Sequence, residues 1–154
     1  MRITGLILVA FLVVWGIQGM ASPANPAQAM QQTTDPAADL VHNFRLGSNL
    51  ERMAITTAQT THTYGMVSSF KVAAEIHQLA PKYQPQWDAN LAKAYAAHLT
   101  PGELQSLARQ GNTSPYFAKL QQQRSLVGAD MQASSSSILQ ALVTEALGNV
   151  VKQQ

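Results

Sequence analysis

Four histidines and eight carboxylates are the groups of this 154-residue chain that would have to bind a metal or do acid–base work. Their spacing assembles neither. A metal site needs ligands converging on one point, yet His42, His62, His77 and His98 are far apart, with no i, i+4 pair and no H-E-x-x-H motif. Glu75 and His77 are two residues apart and face different sides of a helix, so His77 and His98 are expected as half-buried polar members of core faces. Nucleophilic catalysis has no better footing. There is no cysteine, Ser68 and Ser69 lack the G-x-S-x-G elbow, and the run Ser134 to Ser137 has no flanking glycines to expose a strained nucleophile. The carboxylates are isolated, and Glu103, the one most specific in position, is accounted for by helix capping. Glycines are scattered singly and form no phosphate loop. The residues therefore point to a non-enzymatic protein, with no catalytic residue, metal or cofactor expected.

Binding chemistry is better represented. Met66, Phe70, Trp87, Tyr95, Tyr116 and Phe117 form the candidate ligand or partner surface, and the four aromatics at 87, 95, 116 and 117 bracket the centre of the chain. Such residues can line a groove for a peptide, lipid or glycan, although their helical spacing equally suits an ordinary core. Met53, Met66, Phe70, Trp87 and Tyr95 together would give an adaptable apolar cavity, because thioether side chains repack easily.

The elements that must position these side chains are helices. Asp35 caps and Pro36 opens a short helix with Leu40, Val41 and Phe44 on one face, stopping near Gly47-Ser48-Asn49. Asn49 or Ser48 caps the next, which carries Leu50, Met53, Ala54 and Thr57; the β-branched run from Thr56 to Thr63 weakens it, so a break is expected between His62 and Gly65. Met66, Phe70, Ala73 and His77 then recur on one face, with Val72, Ile76 and Leu79 beside them, giving a central helix that Pro81 and Pro85 should end. Trp87, Leu91, Ala94, Tyr95 and His98 mark a separate short helix.

The stretch Leu99-Thr100-Pro101-Gly102-Glu103-Leu104 is a helix start written almost in full. Thr100 and Glu103 are placed to form a capping box, Pro101 sits at the first helical position, and Leu99 can pack on Leu104. Gly111 is the expected stop. Ser114 is expected to cap, and Pro115 to open, the following helix, along which Tyr116, Phe117, Leu120, Val127 and Met131 recur. Ser134 to Ser137 is either a loop or a row of small residues allowing another helix to approach closely, and Ile138, Leu139, Leu142, Val143, Ala146, Leu147 and Val150 form a long amphipathic stripe at the C-terminus. The predicted fold is all-α, a single helical domain of five or six helices over residues 35–154.

Residues 1–21 have the make-up of a signal peptide: Met1-Arg2, an apolar run from Ile3 to Ile17, and small residues ending at Ala21, with Ala29 a second cleavage point. Left uncleaved, the segment would be the one membrane attachment expected. Residues 22–34, rich in Pro, Ala, Gln and Thr, are expected to be a disordered leader. Without cysteine the mature chain must fold on its own core, and about 130 residues suffice for one domain. Of ten Lys and Arg residues Arg2 goes with the signal peptide, leaving nine against eight acidic residues, scattered singly; no nucleic acid is expected as a partner.

The order Ala94-Tyr95-Ala96-Ala97-His98-Leu99-Thr100-Pro101-Gly102-Glu103-Leu104, with Ser114-Pro115 some ten residues on, resembles a bacterial family of exported, mainly helical domains of unknown function. The match spans about Trp87 to Val127. Gly102, and Tyr116-Phe117 after the Ser-Pro pair, depart from the family pattern. The resemblance implies export and a helical fold, and brings no active site.

The leading expectation is a periplasmic or secreted binding module whose partner is another envelope or secreted protein, or a second copy of itself. A small-ligand or lipid carrier is the alternative, and a cell-wall hydrolase built from two or more of Glu75, Asp88, His98 and Glu103 comes third.

Overall fold

The computed structural model describes residues 35–153, and the signal peptide and leader, within residues 1–34, lie outside the described residues. Five α-helices follow one another, α1 Pro36–Asn43, α2 Leu50–Gln59, α3 Ser69–His98, α4 Pro101–Gln110 and α5 Phe117–Lys152; short 3-10 turns lie at His62–Met66 and Gly111–Thr113, and the described residues include no strand. The all-α expectation holds, with the break between α2 and α3 where the β-branched run placed it.

Local chemistry starts and stops these helices largely as their residues dictate. The Asp35 carboxylate accepts from the amide of Ala37 at 3.0 Å, with Pro36 at the first position of α1. At α4 the full capping box is formed: the Glu103 amide donates to Thr100 Oγ1 at 3.4 Å and the Thr100 amide to Glu103 Oε2 at 2.8 Å. Leu99 and Leu104 are both buried beside it. Replacing Thr100 with Ala is expected to cost on the order of 1 kcal/mol in urea unfolding, because one reciprocal bond is lost and the helix start is otherwise unchanged. Gly111 closes α4 with a φ of 58°, and a Cβ there would lie 2.6 Å from the ring of Phe44.

Several boundaries differ from expectation. α1 stops before Gly47, through Arg45 at a φ of 49°; the Arg45 amide donates to the His42 carbonyl and the Leu46 amide to the Val41 carbonyl at 3.0 Å, the pairing that usually has glycine at its centre. Gly47 serves a different purpose, since Gln84 donates to its carbonyl at 3.0 Å and a Cβ would fall 1.8 Å from Asp88 Oδ1. Asn49 stands at the start of α2 but makes no side-chain capping bond. Ser114 does not cap α5 directly. That helix begins at Phe117 after a turn, in which Ser114 Oγ accepts from the Tyr116 amide at 3.3 Å and pairs with Ser106 Oγ at 2.9 Å.

The largest correction concerns Pro81 and Pro85, which do not end a helix but lie inside the 30-residue α3. Proline cannot donate to the carbonyl four residues back, so the carbonyls of His77 and Pro81 lose their helical partners. All these positions are exposed, where water can take over the lost bonds. The buried row Val72, Ile76 and Ala80 continues in phase as Trp87, Leu91 and Tyr95, so breaking the helix would cost the packing on both sides. The Trp87–His98 segment is thus the second half of α3. Its first half also turns the other way: Val72 and Ile76 are fully buried, whereas Met66 and Phe70 are 62% and 81% exposed and His77 faces solvent.

The Ser134 to Ser137 alternative resolves as helix inside the 36-residue α5. α3 and α5 lie antiparallel, as their cross-bonds show: Glu75 with Asn149, Lys82 with Glu145, Asn90 with Ser134 and Ser135, and His98 with Asp130. α2 packs against both helices of this pair, α1 packs against α3, and α4 covers α1. Ser135 has no exposed surface and accepts from Asn90 Nδ2 at 3.0 Å, so the serine run lies in contact with α3. Ser135→Leu is therefore expected to lower stability by about 2 kcal/mol through overpacking, read as a fall in the urea midpoint; a variant as stable as the wild type would show the helices are not held at this distance by the serine.

Candidate functional site

α2, α3 and α5 each present a row at helical spacing to a half-enclosed groove of about 650 Å³. α2 contributes Asn49, Met53 and Thr57, α3 contributes Trp87, Leu91 and Tyr95, and α5 contributes residues from Arg124 through Val127, Gly128 and Met131 to Gln140. Each row repeats every fourth residue because side chains so spaced lie on one face of a helix. A second groove of about 410 Å³, more apolar in its lining, runs past Leu40, Phe44, Leu107, Phe117 and Leu120. Leu46, Tyr95 and Arg124 line both.

Trp87 and Tyr95 are buried, at 4% and 7% exposure, and form one wall of the larger groove, and the half-buried Phe117 belongs to the smaller. Met66 and Phe70 line neither groove and lie exposed at and beyond the 3-10 turn before α3; Tyr116 is 38% exposed in the turn before α5. The cavity expected from Met53, Met66, Phe70, Trp87 and Tyr95 thus keeps Met53, Trp87 and Tyr95 and loses the other two. Asn49, Leu91, Arg124 and Met131 are among the lining residues that the sequence did not single out as candidate site residues. Leu91 shares the face of Trp87 and Tyr95 through its i+4 relation to both, which is the signal that places it in the lining. Arg124 carried no signal of its own, being one scattered cation among several.

Among the described residues, Arg124 is the one charged residue lining the larger groove. Its guanidinium donates to Gln121 Oε1 at 3.0 Å and enters none of the ion pairs among the described residues. Burial raises the pKa of the Tyr95 phenol, and the positive charge of Arg124 acts against that rise. Asn49 Oδ1 and Trp87 Nε1, an acceptor and a donor, are buried and have no hydrogen-bond partner among the described residues. Leaving such groups unpaired costs about 1–3 kcal/mol each.

The four residues considered for hydrolysis are not brought together. Glu75 accepts from Asn149 and Gln153, Asp88 from Gln84, Glu103 from Lys119, and His98 pairs with Asp130 at 2.7 Å. Along α3 alone, Glu75 and Asp88 are separated by about 20 Å and Asp88 and His98 by about 15 Å. His77 pairs with Glu51 at 3.1 Å on the surface.

Glu103 does more than cap. Lys119 Nζ reaches its oxygens at 2.8 and 2.9 Å, tying the start of α4 to α5 and, with the Thr100 amide, holding the Glu103 carboxyl below the usual carboxylate range. Lys82 and then Tyr83 lower that of Glu145 in the same way. A carboxylate with a lowered folded-state pKa stabilises the fold at pH above its unfolded value, and this contribution disappears as the pH falls through the lowered value. The urea midpoint is therefore expected to drop as the pH goes below the ordinary glutamate pKa of about 4.3, with a shallower drop in Lys119→Met.

Compared with family models, curated proteins and solved structures, the chain has no match.

Proposed function

We propose that this chain is an exported, non-enzymatic binding protein, and that the groove between α2, α3 and α5 receives part of another envelope or secreted protein. The observation that carries this reading is the groove itself: three helices direct aligned rows at one half-open channel of about 650 Å³, a volume within the range of about 300–1,000 Å³ usual for binding pockets. Export rests on the signal-peptide pattern of residues 1–21, and membership of the exported helical family resembled over Trp87 to Val127 belongs to the same proposal. A carrier of small apolar ligands is the second reading, favoured by the apolar lining of the neighbouring groove of about 410 Å³.

The groove is tested with the uncharged probe N-phenyl-1-naphthylamine. Gly128 lines the groove, and a Cβ there meets nothing within 4 Å, so Gly128→Leu fills the channel while improving helix propensity. Probe fluorescence should rise with the wild type and fall back with Gly128→Leu. Equal signals from the two proteins would remove the groove as a binding site. Export is checked by the mass of the mature chain, expected to begin at Ser22 or Met30; recovery of the chain from Met1 would overturn it.

A further inference from the structure

We infer that the segment held in the larger groove is an apolar peptide of about seven residues carrying one acidic side chain at the end that meets Arg124; the inference rests on the binding role proposed above. Length follows from the lining of α5, which extends from Arg124 to Gln140. That interval is about 24 Å of helix, and an extended chain advancing roughly 3.3 Å per residue covers it in about seven residues.

Charge sets the orientation. Arg124 is the sole charged group in the lining and forms no ion pair among the described residues, whereas Lys82 and Lys119 are both engaged by glutamates. A planar guanidinium with free N–H groups is complementary to a carboxylate. The apolar middle of the groove, Leu91, Val127 and Met131, accepts the apolar side chains of the segment.

The remaining polar groups favour a peptide over a lipid tail. Thr57, Gln132 and Gln140 place hydroxyl and amide groups along the lining. A methylene chain has no use for any of these, and covering them without hydrogen bonds would oppose its binding.

The test pans a random heptapeptide display library against the full chain. Wild type should enrich peptides with apolar residues and one Asp or Glu, Arg124→Glu should shift the preference to Lys or Arg, and Gly128→Leu should abolish enrichment. A synthetic heptapeptide from the wild-type selection should bind Arg124→Glu at least about tenfold more weakly. Both substitutions are at exposed helical positions, and unchanged circular dichroism would confirm that the fold is kept. Enrichment without a charge preference, or a preference unmoved by Arg124→Glu, would overturn the inference. So would a wild-type dimer dissociated by Gly128→Leu, which would put a second copy of the chain in the groove. If no peptide is enriched but palmitate displaces N-phenyl-1-naphthylamine, the inference fails and the groove still binds; if the probe is also insensitive to Gly128→Leu, the proposed role falls with it.

Discussion

Replacing Pro81 with Ala is expected to stabilise the protein by about 2 kcal/mol, and Pro85→Ala by a similar amount. A proline in a helix interior is about 3 kcal/mol less favourable than alanine, and part of that difference, about 0.4–1 kcal/mol, is offset because proline also restricts the unfolded chain. Here each proline sits in mid-helix at an exposed position, with no tertiary partner to be lost on truncation among the core residues. The expected rise in Tm is roughly 8–12 °C for a single substitution. The two sites are one turn apart, and Pro81 supplies the carbonyl that an amide at position 85 would use, so the double variant should depart from strict additivity. Urea unfolding with an unchanged slope would read the gain directly. No gain in either variant would mean that the helix bends at these residues to serve its packing and that straightening it costs as much as the restored hydrogen bonds contribute.

The opposite effect is expected from Leu142→Ala. Leu142 is fully buried on α5 within the hydrophobic core, and removing its side chain loses both transfer free energy and the contacts of its neighbours, about 3 kcal/mol with a range of roughly 2–5. For a domain whose whole stability is expected at about 5–15 kcal/mol, that is a large fraction. Leu126, on the same helix but half exposed, is the control: Leu126→Ala should stay within about 0.5 kcal/mol. Similar losses from both would show that the outward side of α5 is also packed in solution, for example against a second chain. The measurement bears on the groove too, because α5 forms one of its three walls.

The clearest parts of the chain were those where a few neighbouring residues settle the outcome. Asp35 with Pro36, and Thr100 with Pro101 and Glu103, start helices through bonds that reach only two or three residues. Gly111 stops one because an L side chain resists a φ of 58°. Helical periodicity located Trp87, Leu91 and Tyr95 on one face, and that face became a wall of the groove.

Where distant residues decide, local preference does not give the outcome. Pro81 and Pro85 are helix breakers by local preference, and they are tolerated because the core-facing row from Val72 to Tyr95 keeps its phase across them while their own carbonyl partners face water. Met66 and Phe70 look like core and are exposed because Val72 and Ile76 occupy the side of α3 that meets the rest of the bundle. Ser134 to Ser137 suits a loop or a close contact equally by local preference, and Asn90 against Ser135 decides for the contact. Arg124 acquires meaning only beside Tyr95 and the two grooves they share. By itself, then, the sequence determined the helical class, the starts of α1 and α4 and the stripes available for burial, since these depend on hydrogen bonds and periodicity within a few turns. The tertiary structure alone decided which stripe is buried, which weak points are spanned and which side chains share a groove, because those outcomes depend on what the opposite helix presents.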